Sequence, residues 1–181
     1  MKLYTHIIGG FSLASLANLL VGPNPWILSY IFILLFLVNL MIDIGHSRHV
    51  DGRILRSPYT HEVLSCMALS AITGYILWLA IGNVYEAPLD LSIYASLLIA
   101  ASHLAGDIVT RGGIYIYIGR TLYRVSISNL SYRDPILNTL FIVVQLAPLI
   151  LNIFIIHSNP TGTLTHNLLD KALAMYSQFY K

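Results

Sequence analysis

Long apolar runs, cut by short polar knots, organise this chain. Stretches 5–22, 26–44, 59–82, 89–109 and 135–156 are mostly apolar. Each comes near the roughly 20 residues that a helix needs to cross a bilayer core. The pattern predicts five transmembrane helices. Gly9, Gly10, Ser12, Ser15 and Asn18 make the first one small and polar, which suits an inner helix whose backbone is closely approached by its neighbours. A cleaved signal peptide fits less well, because the apolar region is long and no small-x-small site precedes Pro23. The fifth run carries Pro148, which predicts a kink. Asn138, Gln145 and Asn152 recur in it every seven residues and mark a stripe facing the bundle.

Two further pieces do not span. In "GGIYIYIGRTLYRVSIS" (112–128) apolar and polar positions alternate around a Gly-Arg break, which predicts a small hairpin at the membrane surface; an irregular interfacial loop anchored by Tyr115, Tyr117 and Tyr123 is the alternative. Leu164, Leu168, Leu169, Ala172, Leu173, Tyr176 and Tyr180 recur at helical spacing in the tail, as in an amphipathic helix lying on the interface or packed on the bundle. The organisation expected is thus a transmembrane domain over 1–158 and an amphipathic tail over 159–181.

Composition changes the picture only by closing off alternatives. Of the 181 residues 56% are apolar and 10% charged, against about a quarter charged in soluble domains, so the chain lacks the polar surface of a water-soluble globule. A net charge of +2 is too small to imply a nucleic-acid partner, and the single Cys66 excludes an intrachain disulfide. Lys2, Arg48, Arg53, Arg56, Arg111, Arg120, Arg124 and Arg133 all fall on one side of the predicted spans, with Lys171 and Lys181 on the other. The positive-inside rule then predicts a multi-pass protein of the cell (plasma) membrane, its N-terminus cytoplasmic and its C-terminus outside.

Candidate chemistry gathers at that same side. His6 opens the first span, Asp43 and His46 end the second, His61 opens the third, and His103 and Asp107 lie near the end of the fourth. Asn39 continues the Asp43 face inward. Ionisable residues at membrane depth are costly and mark functional sites. Imidazoles with carboxylates and no thiolate suit zinc, manganese or iron rather than a purely structural zinc site. About six ligands accommodate one or two ions, and paired ions are typical of phosphoester hydrolases, in which bound water becomes acidic enough to ionise near neutral pH. Arg48, Arg53, Arg56 and Arg111 flank this level, and guanidinium groups match phosphate geometry.

Each signal has a plainer reading. Helix-end histidines are often interfacial, Asp43 with His46 can be a capping pair, and the arginines are explained by topology alone. His49 and Asp51 are loop residues, and His157 and His166 fall on the other side. Convergence from four spans with complementary ligand types is what favours a site.

"THIIGG" (5–10), "IDIGH" (42–46), "RSPYTHEVLS" (56–65) and "SHLAGDIVTRGG" (102–113) stand in an order and spacing that resembles the YdjM-like family of LexA-regulated, membrane-bound, metal-dependent hydrolases, its archaeal members above all. The likeness covers roughly residues 4–140. That family is distantly similar to zinc-dependent phospholipase C, which also uses a His-x-x-x-Asp ligand pair. The resemblance implies that His103 and Asp107 are ligands, joined by His6, Asp43, His46 and His61. The chain departs from the family where Pro-Asp-x-Asp-His is replaced by Ile42-Asp43-Ile44-Gly45-His46, and where His-Arg-Gly-x-Thr-His-Ser is replaced by Arg56-Ser57-Pro58-Tyr59-Thr60-His61-Glu62. A carboxylate and a histidine are missing, and Glu62 is added.

The expectation is therefore an all-α integral membrane bundle holding one or two divalent ions, zinc first and manganese or iron as alternatives. It would hydrolyse a small-molecule or lipid phosphoester at the cytoplasmic face, with Glu62 as general base and Arg56 neutralising the phosphate. Membrane lipid is the expected partner, with self-association into a homo-oligomer left open. The competing expectations are a non-catalytic structural or interaction protein with a structural metal or polar cluster, and a transporter or proton relay.

Overall fold

A computed structural model describes residues 3–18, 24–44, 46–48 and 54–158. Helix α1 (Leu3–Ser15) is followed by α2 (Pro25–Asp43), a two-stranded pair of β1 (Ser47–Arg48) and β2 (Ile54–Leu55), and the short α3 (Pro58–His61). Then come α4 (Val63–Leu77), extended by a π-helical turn at Trp78–Gly82, α5 (Leu89–Ile108), a hairpin of β3 (Ile114–Ile118) and β4 (Thr121–Val125), and α6 (Pro135–Ser158). The predicted tail helix lies outside the described residues.

Local sequence sets these boundaries. Asn24 caps α2 by accepting a hydrogen bond from the N–H of Trp26 (2.9 Å), with Pro25 in the first turn; proline suits that position because its missing N–H would have no partner there. Ser57 and Pro58 open α3 in the same way, and Asp134 Oδ1 accepts from Leu137 N at the start of α6. The segment 112–128 takes the hairpin alternative. Gly119 adopts φ +63° at the first position of its two-residue turn, a conformation that suits glycine.

Among the described residues four helices are long and apolar enough to cross a membrane: α2, α4 with its π turn, α5 and α6. The chain is an all-α membrane bundle with four such helices among the described residues, where five were expected. Helix α1, with 13 residues, covers part of the first apolar run, whose positions 19–22 lie outside the described residues. It is nonetheless the inner helix that its composition predicted, packed on α2, α5 and α6. Gly10 lets Leu35 approach so closely that a Cβ there would lie 2.6 Å from Leu35 Cδ1. Helix α5 is the most enclosed of the four spans, with 61% of its window buried against 17% for α6. Phe32, Phe36, Ile76, Leu79, Val144 and Phe154 stay exposed on the outside of the bundle, as a lipid-facing surface requires.

Because lipid is as apolar as leucine, helices in a bilayer associate through close packing and interhelical hydrogen bonds. The α1–α6 pair shows this. Thr5 Oγ1 donates to Asn138 Oδ1 (2.7 Å), the N–H of Leu149 donates to Ser12 Oγ (3.0 Å), and Asn152 Nδ2 donates to the Ser15 carbonyl (2.6 Å). These contacts ascend together, so the two helices run parallel. The stripe of Asn138, Gln145 and Asn152 is buried against α1, as its seven-residue repeat predicted. Ser12 serves the backbone just beyond Pro148, where the helical ladder loses an N–H.

Candidate metal centre

The expected third span is broken at its start. Glu62 is extended (φ −78°, ψ 137°) between α3 and α4, and it forms an isolated parallel bridge with Tyr115 of β3. The break leaves His61 at the end of α3, fully enclosed beneath the bundle end. His6 comes from the first turns of α1, Asp43 is the last residue of α2, His46 follows it, and His103 and Asp107 lie one turn apart on α5.

All six predicted ligands converge. Asp107 is at the centre: its Oδ1 lies 3.4 Å from His6 Nε2, and its Oδ2 lies 3.3 Å from His61 Nε2 and 3.4 Å from His103 Nε2. Asp43 Oδ1 lies 3.5 Å from His103 Nε2 and 3.4 Å from His46 Nδ1. The rings of His6 and His103 stack at 3.9 Å, and His46 approaches His61 at 4.8 Å. His6, His61, His103 and Asp107 are all buried, whereas the Asp43 and His46 side chains keep 26% and 28% of their surface and form the open side. Burial lowers the His46 imidazole to about 4, against the opposing pull of Asp43, so its ring is neutral at neutral pH and can donate a lone pair.

Neighbouring polar groups fix which nitrogen faces inward. Asn39 Nδ2 donates to the Leu35 carbonyl (2.9 Å), which leaves Asn39 Oδ1 to accept from His103 Nδ1 (2.8 Å). A neutral His103 then presents the lone pair of Nε2 to the centre. Thr60 Oγ1 lies 2.9 Å from His61 Nδ1 and orients that ring. Orienting partners of this kind accompany metal-ligating histidines. Nε2 of His61 and of His103 is buried without hydrogen-bond geometry to any described residue, and a buried polar atom left in that state calls for an explanation.

A metal ion supplies one. Donor atoms around tetrahedral zinc are separated by about 3.3 Å when bonds are 2.0–2.1 Å long, close to the 3.3–3.5 Å spacings found between Asp107, His61, His103 and Asp43. Two sets of three, His6–His103–Asp107 and Asp43–His46–His61, each bring their donor atoms within 4.8 Å. These groups could hold a metal ion.

The other predicted residues divide. Arg56 reaches the centre, where its Nη2 donates to Asp107 Oδ1 and its Nη1 to Gly113 O (2.9 Å) and Thr110 Oγ1 (3.1 Å). Glu62 is not among the converging donors; its Oε2 caps α4 by accepting from Ser65 N (2.7 Å) and Ser65 Oγ (2.8 Å). Of the remaining polar loop residues, His49, Asp51 and Arg53 lie outside the described residues. Thr110 was not anticipated. Its place almost one turn beyond Asp107, at the end of α5, was the available signal. No protein-family model, no curated protein and no solved structure matches the chain.

Proposed function

We propose that this membrane protein is a metal-dependent hydrolase of a phosphoester, with lipid head groups as the favoured substrate class, and a member of the membrane-bound hydrolase family that its motifs resemble. The observation that carries the reading is the convergence of His61 Nε2 and His103 Nε2 on Asp107 Oδ2, with Asp43 Oδ1 against His103 Nε2, all at ligand spacing and beneath a partly open side. In this reading His61, His103, Asp107 and Asp43 hold the ion, zinc first and manganese or iron next, while His6 and His46 flank it. A divalent ion so held supplies Lewis acidity to a phosphoryl oxygen and to water. Asn39 keeps His103 in the ligating tautomer, and Thr60 orients the His61 ring. Asp43 and His46, at the open side, meet the substrate first, and the site faces the cytoplasmic leaflet of the plasma membrane.

The test is metal content of detergent-purified protein by mass spectrometry, followed by a phosphoester screen including phospholipids, with His103→Ala alongside. Bound zinc, manganese or iron lost in the variant, together with turnover lost in the variant, is the expected result. Absence of bound metal in metal-replete buffer would overturn it.

A second reading rests on the Arg56–Asp107 pair, which already compensates the central carboxylate. In that reading the cluster ties helices together without catalysis. Stoichiometric metal with no turnover on any phosphoester would select it.

A further inference from the structure

We infer that Arg56 is the centre's resident second cation, so that the site takes a single divalent ion rather than a pair. This deepens the metal-centre reading above and rests on it. The two oxygens of Asp107 are divided between two environments. Oδ2 faces His61 Nε2 and His103 Nε2 at 3.3 and 3.4 Å. Oδ1 faces the Arg56 guanidinium, with His6 Nε2 at 3.4 Å. A pair of ions roughly 3.5–4 Å apart is commonly clamped by shared oxygen ligands, and here the second oxygen is taken by a permanent cation.

The place of the guanidinium is built. Its side chain is only 8% exposed. Thr110 Oγ1 donates to the Asp107 carbonyl (2.9 Å) and so turns a lone pair towards Arg56 Nη1, which also donates to Gly113 O. Gly112 leaves the room: a Cβ there would lie 2.0 Å from Arg56 Nη1 and 2.7 Å from Cζ. Arginine remains charged at any physiological pH, so this cation cannot be titrated away to admit a metal.

Charge gives the same answer independently. The centre has two carboxylates, Asp43 and Asp107, since Glu62 is engaged by Ser65. One divalent ion with Arg56 already exceeds their charge. A second divalent ion would add two more positive charges in a buried setting, where unbalanced charge is costly. The guanidinium therefore does what a second ion does elsewhere: it fixes the bridging carboxylate and places positive charge beside the substrate's phosphoryl group.

The test is metal stoichiometry of the full-length protein in detergent, equilibrated with Zn²⁺, desalted and measured by mass spectrometry. Wild type and Arg56→Lys are expected to retain about one ion per chain, and Arg56→Gln about two, because the glutamine removes the fixed positive charge beside Oδ1. Wild type holding two ions, or Arg56→Gln holding one, would overturn the inference while leaving the metal centre standing. Absence of metal in every protein would overturn both. Should Arg56→Gln fail to fold, Co²⁺ titration of wild type decides through its visible absorption: saturation at one equivalent supports the single-ion site, and a second equivalent adding intensity overturns it.

Discussion

Asn39 Oδ1 lies 2.8 Å from His103 Nδ1, and that contact determines which nitrogen of His103 faces the centre. Asn39→Ala is expected to weaken metal binding by about 10–100-fold, the usual cost of losing an orienting partner, while the bundle stays folded. Isothermal titration with Zn²⁺, paired with thermal unfolding in detergent, checks it. Unchanged affinity would place the imidazole orientation under other control.

His103→Ala and Asp107→Ala differ in outcome. Both remove a proposed ligand and should abolish stoichiometric metal. Asp107→Ala also strands the Arg56 guanidinium, which is nearly enclosed, and breaking a buried pair by removing one partner costs about 3–5 kcal/mol. Thermal unfolding should therefore show Asp107→Ala far less stable than His103→Ala. The double change Asp107→Ala with Arg56→Met should recover part of that loss.

Ser12→Ala removes the hydroxyl that receives the N–H of Leu149 just past Pro148. Interhelical hydrogen bonds in membranes average about 0.6 kcal/mol and reach about 1.7; this one belongs in the upper part of that range because it serves backbone near a proline. A double-mutant cycle with Pro148→Ala measures it, and the coupling should fall when the proline is absent.

Glu62→Gln separates capping from catalysis. The carboxylate caps α4 through Ser65, and loss of an N-cap costs about 1 kcal/mol. Glutamine should lower stability by less than alanine does, with hydrolysis following the folded fraction. Turnover abolished in a fully stable Glu62→Gln protein would support the general-base role expected from sequence.

The convergence of these side chains was legible because charge at membrane depth has few reasons to be there: His103 and Asp107 one turn apart on α5, and Asp43 at the end of α2, each needed partners. The stripe of α6 was legible from its repeat of seven. What escaped were features set by contacts distant in sequence. Arg56 was expected to meet a phosphate, and its 51-residue reach to Asp107 is visible only once the β3–β4 hairpin brings Gly113 and Thr110 beside it. The interruption at Glu62 was hidden because the apolar run 59–82 reads as continuous, while the local rule that Pro58 starts a helix does not say that the helix ends at His61.

The pairing of α1 with α6 joins residues 133–137 positions apart, and it orders the protein's manufacture. A ribosome delivers α1 first and α6 last, so Thr5, Ser12 and Ser15 emerge long before Asn138, Leu149 and Asn152 exist to meet them. The polar side chains of the opening segment must therefore wait for these partners until the closing helix arrives. Truncated chains that end before residue 135 should therefore be recognised as unfinished and degraded.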